Sequence, residues 1–306
     1  MLEQIKIGHY SHGGTGVTVV LTPEGAVGGC SVRGAAPATR ETALLDSHKM
    51  IQKIHAVCLS GGSAYGLDAC GGVMKWLNKK GHGFDVAGHK IPIVCGASLF
   101  DLTVTGGAKP DADFGYKACE NAVVLSGCQR NTINCVSLTT GLSGQFGAGT
   151  GATIGKICGT EYVARGGVGY SSREIGGLEI AALVVVNAVG DIVKNGKIIA
   201  GASEGGKFLN CNEALMKHMS TPVAPATQSN TTLGVIMTNA DLTKAEVNKL
   251  ADLTHNAYAM CISPVHTEFD GDVIFGLATG QRKADFNVIA ASAIDIMKEA
   301  IWKVKP

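Results

Sequence analysis

The 306-residue sequence predicts an α/β fold with a large, well-buried core. Three observations carry that expectation. Hydrophobic residues make up 45% of the chain and charged residues only 17%, a balance that suits a packed interior and excludes a disordered or fibrous chain. Short apolar, β-rich runs alternate with longer segments of helical periodicity. The 42 glycines supply the tight turns that so many short elements need. One large domain spanning residues 1–306 is expected.

The elements follow in order. Gly16 to Leu21 and Ala26 to Val32 are β-rich runs separated by Thr22-Pro23-Glu24-Gly25, which predicts a hairpin. Gly34 and Pro37 keep the next stretch irregular, and a helix is expected from Thr39 or Arg40 to about Lys53. Ala56–Leu59 is a buried strand, followed by Ser60-Gly61-Gly62-Ser63 and a helix from Ala64 to Lys79 with Ser63 as its N-cap. Ile91–Cys95 is a further strand, and Pro110 opens a helix to about Leu125 in which Asp111 and Asp113 favour the helix start. Gly177–Val186 is the strongest central-strand pattern. A short helix over Asn212–Met219 leads into a Pro/Ala/Thr-rich, loop-like segment from Thr221 to Ser229 and then the strand Leu233–Thr238. Thr243 with Glu246 three residues on reads as a capping box for a helix to about Asn256. Strands over Ala257–Ile262 and Val273–Ala278 and a closing helix over Asp285–Lys303 complete the chain.

Composition excludes several functions. A net charge of +1, with no basic cluster carrying interleaved aromatics, argues against a nucleic-acid partner or an anionic membrane surface. The first ten residues lack a basic-then-apolar signal pattern and no apolar run reaches spanning length, so a cytoplasmic protein is expected. Ten cysteines without a CxxC pair, most of them inside apolar runs, read as buried free thiols rather than a zinc site. No metal and no cofactor is called for. Gly147-Ala148-Gly149-Thr150-Gly151-Ala152 loosely fits a dinucleotide fingerprint, but no clear strand precedes it and no long helix follows. It is not a Walker A loop either, because Thr150 stands where the first glycine belongs. These glycines instead suit close backbone approach to a pocket.

The chemistry centres on the junction Asn230-Thr231, where the loop-like segment meets the strand. A threonine hydroxyl is a poor nucleophile alone. If the chain cuts itself between Asn230 and Thr231, the new α-amine, with a pKa of about 7.7–8, can take the hydroxyl proton on the same residue. The alternative is an ordinary loop-to-strand junction. Asn187, a polar amide ending an apolar run, either donates to a developing oxyanion or supplies a turn. Lys156 is a pocket-lining cation or a surface lysine. Arg33 and Arg40 either hold a substrate carboxylate or bridge carboxylates within the fold or between subunits. Ser60 and Ser63 offer a serine-nucleophile alternative without self-cleavage, although the sequence around them is not Gly-x-Ser-x-Gly.

Four stretches together resemble the L-aminopeptidase/D-esterase family, which includes β-aminopeptidases and the nylon-oligomer (6-aminohexanoate-oligomer) endohydrolase. They are Ser31–Thr42, Leu59–Asp68, Gly147–Ala152 and Asn230-Thr231-Thr232, and the likeness runs the length of the chain. The resemblance implies a four-layer α-β-β-α sandwich, shaped like N-terminal-nucleophile hydrolases with different connectivity. It implies a precursor that cuts itself into an α chain, here 1–230, and a β chain, here 231–306, with Thr231 as nucleophile. Asn187 then matches the oxyanion-stabilising Asn, Lys156 the active-site Lys, Asp270 and Asp272 the acidic pair, and Tyr116 a pocket Tyr. The substrate would be a small peptide or amide, and the assembly a homo-oligomer, a tetramer of αβ units. β-Aminopeptidases carry a Ser-x-Glu pair where this chain has Asp270-Gly271-Asp272, so the nylon-hydrolase-like branch is the closer match. A catalytically silent small-molecule-binding homologue is the reading from another class; having Thr231, Asn187, Lys156 and the two aspartates together weighs against it.

Overall fold

The computed structural model describes residues 2–125, 142–217 and 230–304. Its frame is one ten-stranded sheet whose main path runs Gly167–Ile175, Leu178–Asn187, Thr231–Ala240, Val273–Arg282, Thr15–Val32, Lys53–Ser60, Val94–Ser98, Ala38–Arg40, with Lys6–His12 branching from Thr15–Val32 and Val123–Val124 pairing with Lys6–His12. The strand Thr15–Val32 is 18 residues long, and its two halves serve different parts of the sheet. Val17 to Leu21 pair with Ser60 to Ala56, while Val27 to Val32 pair with Ala278 to Val273.

Alternating side chains build the layers, because successive residues of a strand point to opposite faces. Ile180, Ala182, Val184 and Val186 pack with Ile236 and Ile274 beneath the helices Lys244–Cys261 and Phe286–Trp302. Ala181, Leu183 and Val185 face the other way and meet Val57, Leu59, Cys95 and Ala97 in a core between the two halves of the sheet. Val17, Val19, Ala56 and Cys58 lie on the far face, under the helices Ala69–Lys79 and Ala112–Glu120. Helices, sheet, sheet, helices is the four-layer sandwich.

Several boundaries differ from those read in the sequence. The predicted hairpin at 22–25 is absent: Thr22–Gly25 bulge out opposite His55, and the strand continues in the same direction along Lys53–Ser60. The helix expected over 39–53 is a short strand, Ala38–Arg40, and one 3-10 turn, Ala43–Leu45. Ser63 does not cap a helix by its side chain; it opens a 3-10 segment, Ser63–Asp68, and the α-helix begins at Ala69. The strand near 91–95 is Val94–Ser98, where pairing with the Lys53–Ser60 strand sets the ends. The helix from Lys244 carries its Thr243–Glu246 capping box as expected, but runs on to Cys261, leaving only Ile262–Ser263 extended. Tertiary burial of Ala257, Tyr258 and Cys261 on one helix face outweighs the local β tendency there. The helix after Asn210 is Cys211–Lys217, and the segment Thr221 to Ser229 lies outside the described residues. Cys128 and Cys135 also lie outside them; the other eight cysteines are free, six of them buried.

Register puts three chain segments at one edge. The strand ending in Asn187 runs antiparallel to the one starting at Thr231, with Asn187 directly opposite Thr231. The Thr231 strand is parallel to Val273–Arg282, reached through the helix Lys244–Cys261, so Asp270 and Asp272 precede their strand at the same edge.

Candidate active site

Asn187, Thr231, Asp270 and Asp272 are buried together with Lys156 at that edge. The Lys156 ammonium donates to the Asn187 Oδ1 at 2.7 Å and to the Asn187 backbone oxygen at 3.1 Å. Asn187 Oδ1 also accepts the Thr153 N–H at 3.0 Å, while Nδ2 donates to the Phe100 carbonyl at 3.1 Å. An amide nitrogen has two hydrogens, so the second remains for another acceptor. Lys156 follows Gly155, whose φ of +81° and whose contact with Ala202, 2.2 Å from where a Cβ would stand, leave room for no side chain.

Thr231 donates its hydroxyl to the carbonyl of Asn230 at 2.5 Å. The same carbonyl accepts the Gly271 N–H at 2.7 Å. Gly271 therefore lies against the nucleophile candidate: a Cβ there would sit 2.8 Å from Thr231 Oγ1 and 2.7 Å from the Ala36 carbonyl. Asp270 Oδ2 accepts from the amide and hydroxyl of Thr267, each at 2.8 Å. Asp272 holds the Thr232 amide at 2.7 Å through Oδ1 and meets His266 Nδ1 at 2.8 Å through Oδ2. The segment after Val32 clamps this loop, with the amides of Arg33 and Gly34 on the Asp272 carbonyl and that of Ala36 on the Asp270 carbonyl.

Burial sets the electrostatics. It lowers the Lys156 ammonium from 10.5 to about 7, with Asp270 and Asp101 offsetting part of the effect. It raises the Asp270 carboxyl to about 6, with Asp272 adding to the rise. Near neutral pH both groups therefore sit close to their titration points, which is the condition for proton transfer at a site.

The structure does not bring Tyr116 to this cluster. It lies on the outer helix Ala112–Glu120, where its hydroxyl accepts from Lys79 at 3.1 Å. Arg33 takes the internal role, pairing with Asp252 at 2.7 Å, and Arg40 reaches Met74 Sδ at 3.3 Å. Ser60 is buried and donates to the Gly66 carbonyl while sharing a very short bond with Ser98, an arrangement of turn support. Gly147–Gly149 forms a 3-10 turn, not the start of a long helix.

Sequence reasoning passed over three contributors. Asp101 is buried, accepts from Thr15 at 2.6 Å and from the Gly62 amide at 2.7 Å, and its charge acts on Lys156. Its signal was an acidic residue straight after an apolar strand. Gly271 and His266 were visible only as a spacer and a turn residue.

The sequence model of peptidase family S58 matches residues 2–304. The chain belongs to peptidase family S58. This S58 member is a peptidase, and amide-bond hydrolysis is its reaction class. It is 38% identical over 303 residues to an uncharacterised aminopeptidase of Mycobacterium leprae, covering 92% of this chain and 78% of that one. It is 29% identical over 313 residues to the 6-aminohexanoate-oligomer endohydrolase of Paenarthrobacter ureafaciens, covering 97% and 81%. Among solved structures, the L-aminopeptidase D-Ala-esterase/amidase of Ochrobactrum anthropi, described as a variant of the Ntn hydrolase fold, superposes with a TM-score of 0.67 at 16% identity, covering 99% and 84%. A Burkholderia sp. β-aminopeptidase gives 0.64 at 16%, covering 97% and 82%. These two establish the fold. Among the described residues no helix is long and apolar enough to cross a membrane.

Proposed function

We propose that this S58 peptidase is made as a precursor that cuts itself between Asn230 and Thr231, and that the freed Thr231 then hydrolyses amide bonds through an acyl-enzyme. The observation that carries the reading is the Asn230 carbonyl, which accepts from the Gly271 amide and from the Thr231 hydroxyl at once. An amide carbonyl polarised by a fixed backbone N–H, with a hydroxyl on the next residue, is arranged for an N-to-O acyl shift.

In that step Thr231 Oγ1 attacks the Asn230 carbonyl carbon and the Thr231 nitrogen departs. Lys156 suits the role of base. A neutral amine has two hydrogens, both engaged by Asn187, and its lone pair remains for the hydroxyl proton. The nitrogen leaves protonated as the new α-amine. Water then opens the ester, giving chains of residues 1–230 and 231–306. In turnover the α-amine takes over as base, the substrate carbonyl replaces that of Asn230, and the free hydrogen of Asn187 Nδ2 meets the oxyanion. Asp270 and Asp272 orient the new ammonium and the strand that carries it.

The relatives' names support the substrate class proposed. Small peptides and amino-acid amides follow from the aminopeptidase relatives, and ω-amino-acid oligomers from the 6-aminohexanoate-oligomer endohydrolase. A cytoplasmic tetramer of αβ units completes the proposal. Denaturing intact mass of the wild type beside Thr231→Ala tests it. Two species meeting at Asn230/Thr231 in the wild type and one whole chain in the variant are expected. Activity from an uncut wild type would overturn the mechanism.

A further inference from the structure

Asp272 has both oxygens committed, and one of its partners has no part in the chemistry above. Oδ1 accepts the amide of Thr232, the residue after the nucleophile candidate, at 2.7 Å. Oδ2 lies 2.8 Å from His266 Nδ1. The Asp272 side chain is 0% exposed and that of His266 18%. We propose that His266 is a positioning residue: by donating Nδ1–H to Asp272 it fixes the carboxylate that clamps the Thr232 amide, and so fixes Thr231 against Asn187 and Gly271. The inference rests on the reading of Thr231 as nucleophile.

Three features support a dedicated role. His266 adopts φ +56°, a left-handed conformation that residues with a Cβ seldom take; such strain persists where the surroundings demand it. The ring is walled in, stacked on Tyr258 at 6.0 Å and edge-on to His255 at 4.9 Å, while His255 is itself tied to the Ser31 carbonyl at 3.1 Å. His266 Nε2 is buried without a partner among the described residues, so the Asp272 contact sets both ring orientation and tautomer. Without that donor, a buried carboxylate would keep only the Thr232 amide. Its second oxygen would be left unpaired, and the group would be free to rotate. That rotation loosens the Thr232 amide, one residue from the reacting hydroxyl.

Three substitutions separate this role from general packing. His266→Asn keeps an N–H donor near the position of Nδ1. His266→Gln moves the donor toward the position of Nε2. His266→Leu removes it. The readouts are self-cleavage by intact mass, kcat and KM of the matured enzyme on an amino-acid p-nitroanilide, and hydrogen exchange of the Thr232 amide in uncut Thr231→Ala chains.

His266→Leu is expected to slow cleavage and lower kcat by about 10- to 100-fold, the scale of a lost charge-assisted hydrogen bond, with KM little changed. His266→Asn is expected to retain most of both rates. Thr232 exchange should speed up with Leu and Gln but not with Asn. Equal cleavage in Leu and wild-type chains, or equal loss in Asn and Leu chains, overturns the role. If the Leu chain does not fold, the Asn–Gln pair decides: Asn no better than Gln overturns it. A wild type that never cleaves defeats the Thr231 reading instead, and the exchange comparison still judges the Asp272 clamp.

Discussion

Lys156 makes a claim about stability that can be measured apart from activity. Burial lowers its ammonium from 10.5 to about 7. Between those values the unfolded chain holds a proton there and the folded chain does not. Stability therefore rises with pH across the window. At about 1.36 kcal/mol per pH unit, the buried charge costs the fold up to about 5 kcal/mol at pH 7 and below, and the cost fades toward 10.5. Lys156→Met, made in a Thr231→Ala background so that every chain stays in one piece, removes this cost. Asp270, at about 6, is ionised above neutrality and adds little slope there. The Met chain also loses the hydrogen bonds to Asn187, an offset that does not change with pH. Urea unfolding at pH 7 and pH 9 should then show the advantage of the Met chain shrinking by roughly 2–3 kcal/mol as pH rises. A difference that is the same at both values would refute the lowered pKa and remove the argument for Lys156 as a base at neutral pH.

Other outcomes follow from the same geometry. Self-cleavage of the wild type should accelerate as pH rises through about 7, as Lys156 loses its proton, and level off above it; a flat mass time course across that range would dismiss Lys156 as the base. Gly271→Ala should slow cleavage by about tenfold or more, because its Cβ would meet Thr231 Oγ1 at 2.8 Å and the Ala36 carbonyl at 2.7 Å; mass at fixed times reads this directly. Asn187→Ala removes the side-chain acceptor of Lys156 and the proposed oxyanion donor together, and kcat of any matured enzyme should fall by about 100- to 1000-fold; a fall in KM alone would reject that role.

Sequence patterns revealed what depends on local periodicity. Runs such as Leu178–Asn187 and Thr231–Ala240 are buried along their whole length and mostly apolar because both faces are covered, one by helices and one by the second half of the sheet. The capping box at Thr243 and Glu246 was equally legible, since both partners lie within one turn. Pairing was not legible. Thr22-Pro23-Glu24-Gly25 has turn chemistry, yet the Lys53–Ser60 strand holds the chain straight on either side of it. Of the site residues, Asn187 and Thr231 stand out because each is polar at the end of an apolar run, and the antiparallel register then places them opposite each other. Asp101 acts across a long stretch of chain and Gly271 through its backbone amide, while His266 meets Asp272 six residues on only because the intervening turn brings the two side chains together; no spacing in the sequence marks those contacts.

The uncut chain also explains why cleavage would be required before turnover. Thr231 is 2% exposed and Asn230 is 0% exposed. Asn230 is held as an extra rung of the sheet, its amide on the Phe269 carbonyl and its carbonyl on the Gly271 amide, in a parallel bridge to Asp270. On the proposed mechanism it would occupy the place of the acyl part of a substrate and consume the Gly271 N–H that a substrate carbonyl would use. On that mechanism, separation of the chains would free Thr231 to act and let Asn230 withdraw. An amino-acid amide should therefore bind the matured enzyme and fail to bind the uncut Thr231→Ala chain, as followed by titration calorimetry. Equal affinity for the two would mean that the substrate enters elsewhere. Asn230 would then be a spectator at the junction, and the Gly271 amide would serve self-cleavage alone.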